Sequence, residues 1–389
     1  MMNEIYAGQH IYGNVEKDRS PTNNGGFQTL FYTKSILSPS ESDEIESRMG
    51  YYFSAENPEK FLFFEIGSKF ITTRILPLPD VDKFGRKGLF IAHSFVFKRE
   101  DIEKIGNNPF AVFNHFKDLF VHTTAEALSK GVCTGQDIHP IKIALDPLKI
   151  ENTDTPIPDI LKQWNPVEIK NLISLVMTCG KNSDEAPKEI VITGSQPTIL
   201  DTLQMIFSLL PDRIRSSCTF DTYFLGCNPI AIKFRIYCYP SLSTSLPQFT
   251  HVDAEKRTIS NVSSSDTESQ YINWIYYRFS SGKTEDISQF RNTAFELDQF
   301  LSDKKYDKGK ILKDIQTPTL EKFLEINQIS FQSKISRCFA ELVPNHLAGY
   351  VINSVKEEYA HETNALLLEK ILNGYPNTEI AEYLFHELK

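Results

Sequence analysis

The sequence predicts an α+β N-terminal domain with a mixed or antiparallel sheet, an α/β middle module and an all-α C-terminal part. Three observations carry this. Two β-rich runs, 61–66 and 69–76, are separated by only Gly67-Ser68, and a third run at 89–97 is apolar on both faces. Between 165 and 239 helical and strand patterns alternate. Beyond 261 apolar residues recur at helical spacing. The boundaries follow as 1–138, 139–260 and 261–389.

Ile5, Ala7, Gln9 and Ile11 alternate with Tyr6, Gly8, His10 and Tyr12, a period-two strand with an aromatic and polar second face. A loop rich in Asn, Ser, Pro and Gly separates it from a second strand near 27–33. Ser38 as N-cap, Pro39 at the first helical position and Glu41 three residues past the cap start a short helix. Its further acids suit the positive end of the helix dipole. The Gly67-Ser68 connection suits a primed hairpin turn. Pro77, Pro79, Gly85 and Gly88 mark a loop before the strand at 89–97, which reads as central and buries His93. Phe110, Phe113, Phe116 and Phe120 give a helical stripe after it.

Five prolines make 139–166 a connection. Asn165 caps a helix that buries Val167, Ile169, Leu172, Ile173 and Val176, a strand follows at 189–193, and a second helix carries Leu200, Leu203, Ile206, Phe207 and Leu210 on one side. Strands near 218–224 and 231–239 complete the module. Serine-rich segments at 241–245 and 260–269 place the next boundary. Ser265 to Glu268 reads as a capping box for a helix closed by Gly282, and Thr284 caps the next.

Composition narrows the class. A formal net charge of −9 argues against bulk binding to nucleic acid or an anionic membrane, and no run reaches the roughly 18 apolar residues of a membrane span. The start lacks a secretory leader, so a cytoplasmic location is expected. The six cysteines are scattered without zinc-like spacing, which predicts reduced, mostly buried thiols, no metal and no cofactor. The strand-to-helix turn at Gly194-Ser195 lacks the glycines and lysine of nucleotide-binding loops and reads as a helix cap.

The candidate acid–base residues are His10 and His93, because histidine titrates near neutral pH and strands position side chains well. The same positions also read as core histidines bonded to backbone or tyrosine. Arg74, Arg86 and Lys87 offer an anion-recognition surface, since a guanidinium fork matches phosphate or carboxylate, and also read as solvated charges beside a turn.

Gln9-His10-Ile11-Tyr12-Gly13, Gly26-Phe27-Gln28-Thr29-Leu30, and Gly85-Arg86-Lys87-Gly88 running into Ala92-His93-Ser94-Phe95 resemble the N-terminal domain of bacterial GTPase-associated proteins. Leu210-Pro211-Asp212-Arg213-Ile214-Arg215 and Thr219-Phe220-Asp221-Thr222 resemble the part that follows. The resemblance covers roughly residues 5–225. It implies a cytoplasmic bacterial protein acting with a GTPase encoded nearby, in systems of intracellular conflict such as phage defence, and it transfers no reaction. The matching positions are Gln9, His10, Tyr12, Arg86, Gly88, His93, Arg213, Phe220 and Thr222, of which Gln9, Tyr12 and Arg213 join Arg74, Arg86 and Lys87 as binding candidates. Two readings of function follow: a regulatory or adaptor subunit with a protein partner, or a hydrolase or nucleotide-processing enzyme using His10 and His93 with Arg74 or Arg86. A peptide or nucleic-acid sensor is a third.

Overall fold

The computed structural model describes residues 4–15, 17, 23, 25–53, 57–78, 88–115, 120, 134–144, 163–179, 189–224, 234–240, 250–260, 270–282, 284, 287, 288, 291, 292 and 295. The chain forms two compact units, Met1–Ser264 and Ser265–Lys389. In the first, twelve strands among the described residues make one mixed sheet.

Its antiparallel half contains β1 (Glu4–Val15), β2 (Gly26–Tyr32), β3 (Lys60–Ile66), β4 (Lys69–Pro77) and β5 (Phe90–Lys98). The hairpin β3–β4 forms where Gly67-Ser68 predicts it, with Ile66 opposite Lys69. Gly67 takes φ +58 while Ser68 stays out of the left-handed region, which fits a II′ turn. Strand β5 lies between β4 and β1, and only its last residue, Lys98, is exposed, as its two-sided apolar pattern requires. Two further short strands of this half lie where no strand is expected from the sequence. β6 (Gln136–Asp137) runs parallel to β2, and β7 (Ile141–Ala144) pairs with the start of β1 inside the stretch read as a plain connection.

The parallel half contains β8 (Ile190–Gly194), β9 (Phe220–Asp221), β10 (Ile236–Pro240) and β11 (Thr250–Asp253), with β12 (Thr258–Ser260) antiparallel at the edge. Strands on either side of residue 138 thus belong to one sheet. The join is short: two residue pairs, Leu62 with Asp221 and Phe63 with Phe220.

Register fixes which residues share a face. Tyr12, His10, Ala92, Ser94, Thr73, Ile75, Leu62, Asp221 and Tyr237 line one face, and helix α1 (Pro39–Glu46) packs there through Ile45. The capping box at Ser38 and Glu41 is formed as predicted. The second face carries Ile11, His93, Arg74, Phe61, Phe63, Phe95 and Phe220. Helices α2 (Arg99–Glu103), α3 (Pro109–His115), α4 (Pro166–Cys179), α5 (Gln196–Leu209) and α6 (Asp212–Arg215) complete the unit. The second face meets α3 and α5 through phenylalanines: Phe110 stacks on Phe220 at 5.6 Å, Phe113 lies 4.8 Å from Phe61, and Phe207 contacts both Phe63 and Phe220. These ring pairs add to the area they bury.

In the second unit, helix α7 (Gln270–Ser280) buries Tyr271, Trp274 and Ile275. Gly282 closes it at φ +70, its N–H reaching the Phe279 carbonyl at 3.1 Å. The capping box at 265–268, the Phe116 position, and the helical assignments beyond 295 lie outside the described residues.

Phe220 meets four other rings where the halves join, so Phe220→Ala should cost about 3–5 kcal/mol, read as a lowered urea midpoint. A loss below about 1 kcal/mol would show that this aromatic seam repacks without penalty.

Candidate functional site

His10 and His93 sit on neighbouring strands but on opposite faces, because His93 pairs with Ile11 while His10 pairs with Ser94. Both are buried, at 0% and 2% exposure. No single substrate meets both rings, so the geometry gives a joint acid–base role no support.

His10 faces α1. Its Nε2 lies 3.1 Å from both Ser42 Oγ and Thr29 Oγ1. The Thr29 hydroxyl donates to Glu46 Oε2 at 2.8 Å, and the Thr29 N–H reaches the same oxygen at 3.1 Å. A carboxylate only accepts, so the hydroxyl proton points to Glu46 and the hydroxyl oxygen accepts from His10. This assigns the proton to Nε2 by network logic and leaves Nδ1 as a bare lone pair, which has no hydrogen-bond partner. Ser42 therefore faces an N–H rather than a base, so this is no serine–histidine dyad. Burial first, then His93, pushes His10 down to about 3, against the Ser42 backbone.

A β-bulge builds this arrangement. Between Ile11 and Tyr12 the register to β2 slips, so that Phe31 faces Ile11 while Thr29 faces Tyr12. Leu30 is the extra residue, and it joins Phe31 beside Ile11. Without the bulge Thr29 would point to the other face, away from His10. Tyr12, next along, is half-buried against Phe27 and Phe90, and burial followed by Glu46 raises its hydroxyl to about 12.

On the second face His93 Nδ1 lies 3.0 Å from the Phe120 carbonyl and Nε2 lies 3.2 Å from Gln9 Oε1. The Gln9 amide is oriented by donating from Nε2 to the His139 carbonyl at 2.7 Å. Burial lowers His93 to about 4, opposed by the Phe120 carbonyl. Arg74 stands beside His93 in register, yet its fork is closed on Glu59: Nε to Oε2 at 3.1 Å and Nη2 to Oε1 at 2.6 Å. Arg213 is exposed in the last turn of α6. Arg86 and Lys87 lie outside the described residues. The structure thus brings Gln9, His93 and Arg74 to one face, His10 and Tyr12 to the other, and Arg213 to a separate helix.

The Thr219–Thr222 segment has a structural explanation. Asp221 forms a buried ion pair with Lys60 at 2.7 Å, and Lys60 also donates to the Gly50 carbonyl. Burial raises the Asp221 carboxyl, Lys60 opposing. The Thr222 hydroxyl accepts from the Phe61 N–H at 2.8 Å, and its own N–H returns to the Phe61 carbonyl. Lys60, Asp221, Thr29, Ser42, Glu46 and Glu59 were missed as partners. The only sequence signal was a charge inside an otherwise apolar strand, at Lys60 and Asp221.

At the other strand-to-helix turn, the Ser195 N–H and the Thr198 hydroxyl both donate to Glu255 Oε1 at 2.8 Å, so a carboxylate of the chain itself caps α5. Cys218 and Cys238 are buried, and Cys218 Sγ reaches the Ile214 carbonyl at 3.4 Å. Among the described residues no group of His, Cys, Asp and Glu gathers in a way that could hold a metal ion, and no helix is long and apolar enough to cross a membrane. No protein-family model matches the chain, and a search of curated proteins finds no match.

Removing one partner of the buried pair leaves a charge stranded, so Asp221→Asn should cost about 3–5 kcal/mol, and adding Lys60→Met to an Asp221→Leu chain should recover most of it. If the single and double variants unfold alike in urea, the pair is not a coupled unit.

A buried neutral histidine takes up its proton on unfolding, so the unfolded state binds more protons below 6.5, the ordinary value. Stability therefore falls as pH drops from 6.5 towards about 4, with His93 accounting for about 3 kcal/mol over that window. Unfolding free energies across this range should depend on pH more weakly by one proton in His93→Gln. An unchanged slope would place His93 in contact with water.

Proposed function

We propose that the chain is a non-enzymatic regulatory or adaptor subunit that works through protein contacts. One observation supports this most. The polar side chains singled out by chemistry are engaged in holding the fold, with His10 and His93 buried on opposite faces and Arg74 closed on Glu59. The resemblance of Gln9-His10 and of Thr219–Thr222 to GTPase-associated proteins suggests the partner class: a GTPase encoded nearby, in a bacterial cytoplasm, in a system of anti-phage defence. In this proposal the C-terminal part is helical and supplies the docking surface, leaving the sheet as a scaffold.

The full chain is co-expressed with the product of the adjacent gene, and complex formation and GTP hydrolysis are measured. Co-elution together with a changed hydrolysis rate is expected. Neither binding nor a rate change would end the adaptor reading.

A further inference from the structure

We infer that His10 is an acid-operated release for helix α1: a second proton on its ring finds no acceptor in the core, and gaining it drives α1 off the sheet. The argument is one of hydrogen-bond capacity. The Nε2 proton already serves Thr29 and Ser42, and a further proton lands on Nδ1, which is buried and has no partner. Protonation there adds both a charge and an unsatisfied donor to a site with 0% exposure. His93 differs, because its two nitrogens face two acceptors, Gln9 Oε1 and the Phe120 carbonyl, so its extra proton is received by a group already in place.

The element most directly coupled to His10 is α1. Ser42, itself buried, rests on the ring, and Glu46 is held to Thr29, the ring's other neighbour. Ile45 between them supplies the apolar contact. The charged and titratable groups facing the ring are few. Glu46 on α1 acts through Thr29 and answers the Nε2 side, where a proton already sits. Tyr12 lies along β1 with its hydroxyl pushed up, hence neutral. His93 on β5 disfavours charge on His10 from across the sheet, and the β2 neighbour is Thr29. At the far end α1 is tied by Glu41 to Lys69 on β4. The helix is short, eight residues, so its attachment depends on these contacts rather than on its own helical propensity.

Once α1 leaves, the ring is solvated and recovers ordinary basicity. Each pH unit below 6.5 then multiplies the opening constant about tenfold. Hydrogen exchange on the full chain reads this as protection factors, which remove the pH dependence of intrinsic exchange. From about pH 7 to about pH 5, protection of the α1 amides should fall roughly twenty- to thirtyfold, the change expected from uptake of one proton by His10. In His10→Gln that loss at α1 should vanish, whereas His93→Gln should keep it. An equal loss at α1 in His10→Gln overturns the proposal, as do α1 amides whose protection matches that of the β4 and β5 amides at each pH, because α1 would then open only with the whole fold. If His10→Gln fails to fold, the His10 ring is titrated by NMR in the unsubstituted chain. Titration that leaves the α1 amide signals in place overturns the proposal equally.

Discussion

Among the described residues, the two halves of the large sheet depend on one narrow join, the two-residue strand β9 laid against β3. Main-chain pairing over so short a length is weak, and side chains complete it. The Lys60–Asp221 ion pair, the two hydrogen bonds between Thr222 and Phe61, and the phenylalanines around Phe220 all converge there. A buried ion pair adds little net stability, because desolvating both charges offsets their attraction. Its value here is geometric. Slipping β9 by one residue would place Asp221 on the phenylalanine face and Phe220 beside Lys60, a penalty that selects one register. Arg215, wholly buried with Nη1 on the Gly106 carbonyl, and Asn107, bonded to the Asp212 carbonyl, fasten the same two halves on the helical side.

The parts of this fold that were legible in the sequence are those encoded locally. The Gly67-Ser68 turn, the Ser38 capping box and the Asn165 cap, whose Oδ1 accepts from the Val167 N–H, each sit within a few residues of the atoms they bond. The two-sided apolar pattern of β5 likewise needs no partner to be read. What escaped is short or non-local. β6 has two residues, both exposed, and β12 has three, so neither offers a pattern. β7 does alternate, Ile141-Lys142-Ile143, but among prolines that read as a connection. β11 alternates too, close to serine-rich stretches that read as a boundary.

The candidate site shows the same division. That His93 is buried was readable from its apolar strand, whereas His10 sits on a face that reads as polar and aromatic, and that the two face opposite ways was not legible. Face parity between two strands depends on register, and β1 and β5, though direct neighbours in the sheet, are separated by a long excursion of chain. The bulge that turns Thr29 towards His10 hides for the same reason. Leu30 looks like any apolar strand residue until its partner strand is known.

Gln9 and His10 each hold a structural position set by their place on β1. Neighbours on a strand point to opposite faces, so this dipeptide reaches both layers from one point. Gln9 orients His93 and holds the main chain at His139, while its own N–H is taken by the Thr33 hydroxyl. His10 holds Ser42 on the helix and Thr29 on the bulged strand. Replacing either residue by an apolar one would strand its partners: the His139 carbonyl on one side, the Thr29–Ser42 pair on the other. The Gln-His pair therefore pins helix α1, the sheet and the segment at His139 together from a single point on β1.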